Sequence, residues 1–134
     1  PMQWDNTENA GFTKGEPWIG INENYIDINV KSQDDDPNSI LNYYRKLISF
    51  RKKNPTLIYG KFEALDVENS KLFAYLRKDD NYTFLIIHNF SDDIVIWDFQ
   101  ISEGFQVVFS NVDSDSSLNE LAPWQSKVLS KATT

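Results

Sequence analysis

The feature that most constrains the fold is a change in hydrophobic period at Asn54-Pro55. Before this point apolar residues recur at 3.6-residue spacing, as on one face of an α-helix. After it they alternate with polar residues, as in half-buried β-strands. Pro55 marks the boundary because the residue before a proline avoids helical geometry. The sequence therefore predicts a mainly β fold preceded by one long helix.

We predict that the helix covers residues 36–54. Asp36 can accept a hydrogen bond as N-cap, and Pro37 suits the first helical position because its missing N–H would be unpaired there. One face carries residues at helical spacing, and we expect its apolar members to pack on the β region or on the preceding loop. These residues are Ile40, Leu41, Tyr44, Leu47, Ile48 and Arg51.

Six segments after Pro55 show the alternation and the polar turns of antiparallel strands. Two of them, around Ala74 and Leu85, carry apolar residues on both faces, which is typical of central strands covered on both sides. An antiparallel β-sandwich is therefore predicted. The predicted strand segments are 57–65, 71–77, 82–90, 94–99, 105–109 and 127–130.

Composition excludes several classes of function. No run approaches the roughly 20 apolar residues of a membrane span, so no membrane partner is expected. The net charge of −7 and the absence of a basic stripe argue against nucleic acid as a partner. A chain without cysteine has no disulfide or zinc–thiolate chemistry and suits a reducing compartment, which predicts a cytoplasmic protein without a cofactor.

The first eighteen residues interleave aromatic side chains with turn-forming residues. The block Pro1-Met2-Gln3-Trp4-Asp5 resembles the loop after the eighth barrel strand in the α-amylase family (glycoside hydrolase family 13). The similarity is to its oligo-1,6-glucosidase-like branch, near dextran glucosidase and trehalose-6-phosphate hydrolase. An Arg-Thr pair usually precedes this block in the family and is absent here, so we expect a C-terminal part of a longer enzyme. Further similar blocks are Ala10 to Thr13, Gly15 to Trp18, Asn24-Tyr25, Ile28 to Val30 and Leu121 to Ser126.

The resemblance implies that the chain has two parts and that neither part is catalytic by itself. Residues 1–54 would be a remnant of the catalytic barrel, with an extended loop at 1–35 and the last barrel helix at 36–54, and residues 55–134 would be the C-terminal β-sandwich. The whole enzyme would hydrolyse α-glucosidic bonds of short oligosaccharides with retention. The family's catalytic carboxylates lie upstream, so no catalytic residue is expected here, and this part alone should be structural and inactive. The linkage that the whole enzyme cleaves stays open.

Two residues are candidates for contact with substrate. The resemblance places Gln3 and Trp4 on a loop at the active-site end of the barrel. The Gln3 amide could bond a sugar hydroxyl and the Trp4 ring could pack against a sugar face. The alternative is that Gln3 bonds backbone inside the loop and that Trp4 packs internally.

Other candidate residues favour structural roles. His88, the only histidine, has no partner for a triad or metal site, and we expect a structural or edge position for it. The segment 113–117 begins like a calcium loop, but Leu118 and Trp124 stand where glycine and a bidentate glutamate are needed, so no metal site is expected. Trp97 and Trp124 are expected in packing. A different interpretation makes the chain a carbohydrate-binding module that uses one of them as an exposed platform.

Partners follow from the resemblance as well. The expected partners are the catalytic barrel of the same polypeptide and, in the whole enzyme, an oligosaccharide. If that barrel normally covers the helix and the loop that holds Met2, Trp4, Phe12 and Trp18, this chain alone would expose a large apolar surface. Self-association as a homodimer would relieve that exposure.

Overall fold

The computed structural model describes residues 1–99, 103–112 and 117–133. The chain divides into two compact units, Pro1–Phe50 and Arg51–Thr134. Within the described ranges, no helix has both the length and the apolar character needed to cross a bilayer.

The first unit contains more helical structure than the predicted loop at residues 1–35. Two 3-10 helices, Glu8–Gly11 and Glu23–Ile26, precede helix α1 (Val30–Asp34). Helix α1 begins with a capping box: the Asn29 side chain accepts from the Ser32 amide at 2.9 Å, and the Ser32 side chain accepts from the Asn29 amide. Polar side chains that bond to nearby backbone therefore build the short helices, and their apolar periodicity is too brief to reveal them.

Helix α2 (Ile40–Lys53) is the long helix, and its predicted start at Asp36-Pro37 is wrong. The Asp36 carboxylate accepts from the Asn38 amide at 2.8 Å and forms a turn, and the Ser39 hydroxyl accepts from the Asn42 amide at 3.2 Å. Ser39 thus caps the helix. A serine competes effectively for this role because its hydroxyl can both donate and accept: it also donates to the Gln33 carbonyl at 2.6 Å.

The predicted packing of the α2 face is also wrong. Ile40 is 79% exposed, Tyr44 is 61% exposed and Ile48 is 45% exposed. Leu47 is half-buried. Apolar residues at helical spacing identify the face that needs a cover, but no part of the chain that the structure describes buries these three members.

The second unit starts with the last residues of α2, and its described residues then form helix α3 (Thr56–Tyr59) and seven strands. The strand predicted over 57–65 is therefore wrong in its first half, where Thr56–Tyr59 is helical. The segment predicted over 94–99 forms a strand only at Val95–Ile96, and the short strand β6 was not predicted. The strands are β1 Lys61–Leu65, β2 Leu72–Lys78, β3 Tyr82–Asn89, β4 Val95–Ile96, β5 Gln106–Ser110, β6 Glu120–Leu121 and β7 Ser126–Ala132.

The strands form two antiparallel sheets. The larger sheet has the order β1-β2-β3-β7-β5, and the smaller pairs β4 with β6. One core lies between them: Trp97, beside β4, and Leu121 of β6 pack with Leu85, Ile87 and Leu129 of the larger sheet. The predicted antiparallel β-sandwich is confirmed, and so is the core position of Trp97, which is 6% exposed.

The second face of the larger sheet is aromatic and only partly covered. On β3, Phe84 and Ile86 are 3% and 5% exposed, which confirms that this central strand is buried on both faces. His88 lies on β3 between two paired strands, so it is not an edge histidine. Its ring stacks on Phe73, with centroids 6.0 Å apart.

Buried polar side chains close one end of the sandwich. Lys127 is 3% exposed, and its Nζ donates to the carbonyls of Ser117 at 3.0 Å and Glu120 at 2.7 Å. Burial lowers the pKa of the Lys127 ammonium. Asn89 is 2% exposed and donates to the Ala122 carbonyl. These bonds tie the segment 117–126 to β3 and β7.

Candidate functional site

The candidate residues Gln3 and Trp4 lie beside the first turn of α1. The amides of Val30 and Lys31 donate to the carbonyls of Gln3 at 2.9 Å and Trp4 at 3.0 Å. The first amides of a helix have no partner within the helix, so the Gln3-Trp4 backbone satisfies two of them. The sequence-predicted site therefore has a fixed backbone, anchored to a helix rather than free.

The Gln3 side chain is engaged inside the loop. Its Nε2 donates to the Asn24 Oδ1 at 2.9 Å and to the Ile28 carbonyl at 2.6 Å. These are the internal bonds of the alternative interpretation, and they occupy both donors of the amide. The Gln3 Oε1 has no hydrogen-bond partner within the described ranges, so it can still accept from a hydroxyl group.

The Trp4 side chain is about half exposed, while its backbone is held in a tight turn. The amides of Trp4 and Asp5 both donate to the Ala10 carbonyl, at 2.9 and 3.2 Å. Trp4 is 50% exposed and Ala10 is fully buried. An indole held this way can offer one face to an apolar surface or to a sugar ring.

The turn that holds Trp4 contains three successive residues with left-handed backbone. Asn9, Ala10 and Gly11 have φ values of 56°, 57° and 65°. Alanine seldom adopts this conformation, and its cost must be offset by the hydrogen bonds around it. At Gly11 a Cβ atom would lie 2.8 Å from Oδ1 of Asp5, so the close approach also requires glycine.

Asp5 is the polar centre of this turn, and sequence reasoning missed it. Its Oδ1 accepts from the Thr7 amide at 2.9 Å and from the Thr7 hydroxyl at 2.5 Å. The hydroxyl bond, then the amide bond, lowers the pKa of the Asp5 carboxyl. The spacing Asp-x-Thr before an Asn-Ala-Gly run is the signal that could have revealed it, since aspartate bonds backbone two residues on.

The described carboxyls whose pKa is shifted do not have the properties of a general acid. The pKa of Asp79 is lowered, chiefly by the hydroxyl of Thr56 and then by the amides of Tyr82 and Asn81. A carboxylic acid that protonates a leaving oxygen needs a raised pKa instead. The pKa values of Asp5 and Asp79 are both lowered, which is the opposite of what that role requires.

The acidic turns have structural partners. Asp34 pairs with Arg45, and Asp93 pairs with Lys71 at 2.7 Å. Hydrogen bonding to Asp93 raises the pKa of Lys71. Within the described ranges no group of three His, Asp or Glu side chains is placed to hold a metal ion.

The remaining candidates lie apart from Gln3 and Trp4. His88 bonds Ser126 through its Nδ1 at 2.8 Å, and burial lowers the pKa of its imidazole. Trp124 is 59% exposed and has a left-handed φ of 57°, so its expected packing is wrong. Most of the predicted calcium-like segment, residues 113–116, lies outside the described residues.

Comparison with known sequences finds one family model and several relatives that match this chain. The family model "Alpha amylase, catalytic domain" matches residues 1–60. The oligo-1,6-glucosidase of Parageobacillus thermoglucosidasius is 40% identical over 135 residues, covering 96% of this chain and 24% of that protein.

Solved structures agree with the sequence comparison. Isomaltulose synthase from Erwinia rhapontici NX5 has a TM-score of 0.87 at 37% identity, over 97% of this chain and 24% of that one. Trehalose-6-phosphate hydrolase from Bacillus licheniformis has a TM-score of 0.86 at 34% identity, over 99% of this chain and 25% of that one. The chain thus spans about a quarter of the length of the relatives it matches. With both sequence and fold shared over nearly its entire length, the chain belongs to the α-amylase family, glycoside hydrolase family 13.

Proposed function

We propose that this chain is the C-terminal part of an α-glucosidase that hydrolyses α-glucosidic bonds of short oligosaccharides with retention of configuration. The observation that carries the proposal is the 40% identity to an oligo-1,6-glucosidase, which extends over 96% of this chain but 24% of the relative. Retaining hydrolysis needs two carboxyls about 5 to 5.5 Å apart, one of them kept protonated. In the proposal, residues beyond this chain supply both.

We assign the two parts of this chain to two domains of the whole enzyme. Residues 1–54 form the end of the catalytic barrel, with the loop at 1–35 and the last helix at 36–54, and residues 55–134 form the C-terminal β-sandwich. The match of residues 1–60 to the catalytic-domain model supports the first part. The two-sheet core of the second unit supports the other, because it is complete within residues 51–134.

The direct test compares the longer gene product with this chain. Purified full-length protein should release nitrophenol from nitrophenyl α-glucoside, and the 134-residue chain should not. Turnover by the short chain that follows the protein through a second purification step would contradict its structural role. An inactive full-length protein with a folded circular dichroism spectrum would contradict the α-glucosidase assignment.

Within the whole enzyme, we assign Gln3 and Trp4 to the substrate side of the loop. The half-exposed indole of Trp4 and the Oε1 of Gln3 support this role. An aromatic contact contributes about 0.5–1.5 kcal/mol, so Trp4→Ala should raise KM roughly 2- to 12-fold. Tyr59, an 83% exposed aromatic residue of the second unit, provides the matched control variant Tyr59→Ala.

The catalytic barrel of the same polypeptide is the proposed partner of the apolar side chains that this chain leaves exposed. Trp18 is 90% exposed, Ile40 79% and Tyr44 61%, and these values support a cover. Without the barrel, the chain should associate as a homodimer. Sedimentation velocity at micromolar concentration tests this, because a single 15.6 kDa species over a hundredfold range of concentration would exclude the dimer. Cell fractionation tests the proposed cytoplasmic location.

One observation supports a second candidate function, that of a carbohydrate-binding module. Trp124 is 59% exposed and can offer a platform, whereas Trp97 is 6% exposed and cannot. Quenching of tryptophan fluorescence by a neutral quencher, with and without maltooligosaccharide, tests this candidate. Protection by the sugar that disappears in Trp124→Ala would support the module, and protection unchanged by that substitution would exclude Trp124.

A further inference from the structure

A closed circuit of hydrogen bonds holds the backbone that carries the Trp4 indole. The amides of Trp4 and Asp5 donate to the Ala10 carbonyl at 2.9 and 3.2 Å. The Ala10 amide donates to the Thr7 carbonyl at 2.9 Å. The Thr7 amide donates to the Asp5 carboxylate at 2.9 Å, which returns the circuit to the residue beside Trp4. The direction in which the indole leaves the turn therefore depends on the whole circuit.

The Asp5 carboxylate is the side-chain member of this circuit, whereas its other members are backbone groups that almost every residue has. Besides the amide, the Asp5 Oδ1 accepts from the Thr7 hydroxyl at 2.5 Å. The hydroxyl bond, then the amide bond, keeps the pKa of the Asp5 carboxyl low, so both oxygens remain acceptors at neutral pH. The carboxylate also fills the space beside Gly11, where an added Cβ would lie 2.8 Å from Oδ1 and 2.9 Å from Cγ. Asp5 is thus the member of the circuit that a substitution can remove.

The turn needs this support because its backbone is strained. Asn9 and Ala10 have left-handed φ values of 56° and 57°, which residues other than glycine seldom adopt. Such a conformation persists only where the surrounding structure holds it. Without the Asp5 carboxylate, Thr7 would be released and the turn could relax. The Ala10 carbonyl would then no longer fix the Trp4 amide, and the 50% exposed indole would sample several orientations.

We propose that Asp5 is a positioning residue for substrate binding: it holds the Trp4 indole in the orientation that meets a sugar ring and does not itself contact the substrate. The inference rests on the proposed function, in which Trp4 lies on the substrate side of the loop. A side chain that is already held in its bound orientation loses less freedom on binding, so the complex is tighter. Loss of Asp5 should therefore weaken binding and leave the chemistry unchanged, which appears as a higher KM at the same kcat.

The test uses the full-length enzyme with nitrophenyl α-glucoside as substrate. Asp5→Ala should raise KM about as much as Trp4→Ala does, roughly 2- to 12-fold, and should leave kcat within about twofold of the parent value. Asp5→Asn keeps an oxygen acceptor for both Thr7 donors and should retain the parent KM. Glu8→Ala is the matched control, because it also removes a carboxylate from this turn and should leave KM unchanged. The Glu8 side chain is exposed and makes no hydrogen bond within the described ranges.

A double variant separates positioning from a merely structural role. If Asp5 acts through the indole, Asp5→Ala should raise KM no further in an enzyme that already carries Trp4→Ala. Effects on KM that multiply would overturn the proposal, and so would a KM of Asp5→Ala equal to that of the parent. Should Asp5→Ala fail to fold, Thr7→Val takes its place in the same comparison, with a smaller rise in KM because it removes the hydroxyl bond alone.

A second measurement does not depend on turnover. In the 134-residue chain, Asp5→Ala should speed hydrogen exchange of the Trp4 amide about 5-fold, as expected for the loss of roughly one hydrogen bond, and Glu8→Ala should not. Unchanged exchange would overturn the proposal and leave the α-glucosidase assignment intact, and so would an active enzyme in which Trp4→Ala does not alter KM. Faster exchange together with an inactive full-length protein would contradict the α-glucosidase assignment and still support the positioning of Trp4 by Asp5.

Discussion

Gly60 offers a direct test of how α3 is joined to the larger sheet. It follows α3, precedes β1 and is buried, with an ordinary extended backbone. A Cβ at this position would lie 2.5 Å from the Thr56 carbonyl oxygen and 2.9 Å from the Lys78 carbonyl oxygen. Both neighbours are backbone atoms, which cannot rotate away as a side chain can. Gly60→Ala must therefore move α3 away from the end of β2.

The cost of that displacement can be estimated. Added volume in a packed site costs about 1–3 kcal/mol, and here the Gly60 amide would also lose its 2.9 Å bond to the Thr56 carbonyl. Alanine also restricts the unfolded chain more than glycine does, and this stabilises the folded state by about 0.4–1 kcal/mol. We expect a net loss of roughly 1–2 kcal/mol, which lowers the urea midpoint by about 0.3–2 M for an m-value of about 1–3 kcal/mol/M.

The assay is urea unfolding followed by far-ultraviolet circular dichroism. The matched control is Gly20→Ala, because a Cβ at Gly20 would meet nothing within 4 Å. Gly20→Ala should leave the midpoint unchanged or raise it slightly. Equal midpoints for Gly60→Ala and the parent chain would refute the close contact between α3 and β2.

Three further predictions concern other parts of the chain. Because burial lowers the pKa of His88, the unfolded chain binds its proton more tightly than the folded one, so the free energy of unfolding should fall with pH from about 7 to 5. In His88→Gln the free energy of unfolding, measured by denaturation, should depend less on pH over this range. A pH dependence equal to that of the parent chain would show that His88 does not cause it. Leu85→Ala should cost about 2–5 kcal/mol in chemical denaturation, because Leu85 is fully buried; Val67→Ala, at a 75% exposed site, should cost little. Gly11→Ala should speed hydrogen exchange of the amides in the turn around Gly11, since left-handed backbone costs alanine roughly 1–2 kcal/mol. The control is Gly20→Ala, and equally slow exchange of the same amides in both variants would exclude strain at this turn.

The sandwich could be predicted from the sequence because its strands carry their own evidence. Apolar residues on both faces of β3 required two covers, and alternation gave the approximate limits of β2, β3 and β5. The elements that were not predicted are too short to show a pattern in the sequence. Thr56–Tyr59 is too short for a helical period to stand out, and β6 is two residues long.

The candidate site was predictable only in part. Gln3 and Trp4 came from a resemblance, and the Gln3 side chain is positioned by bonds to residues more than twenty positions away, Asn24 and Ile28. The exposed face of α2 shows a similar limit. Helical spacing identifies Ile40, Tyr44 and Ile48 as a face that needs a cover, but it cannot say which part of a protein supplies that cover.

The strand order has a consequence for synthesis on the ribosome. Strands β1, β2 and β3 pair with their neighbours in sequence, so this meander can form as soon as they emerge. Among the strands that the structure describes, β5 pairs with β7 alone, and β7 follows it in sequence and lies between β3 and β5 in the sheet. Until β7 emerges, β3 presents an unpaired edge and β5 has no neighbour in the sheet. The nascent chain therefore passes through a stage in which another strand could occupy the place of β7, and chaperone binding should be strongest during that interval.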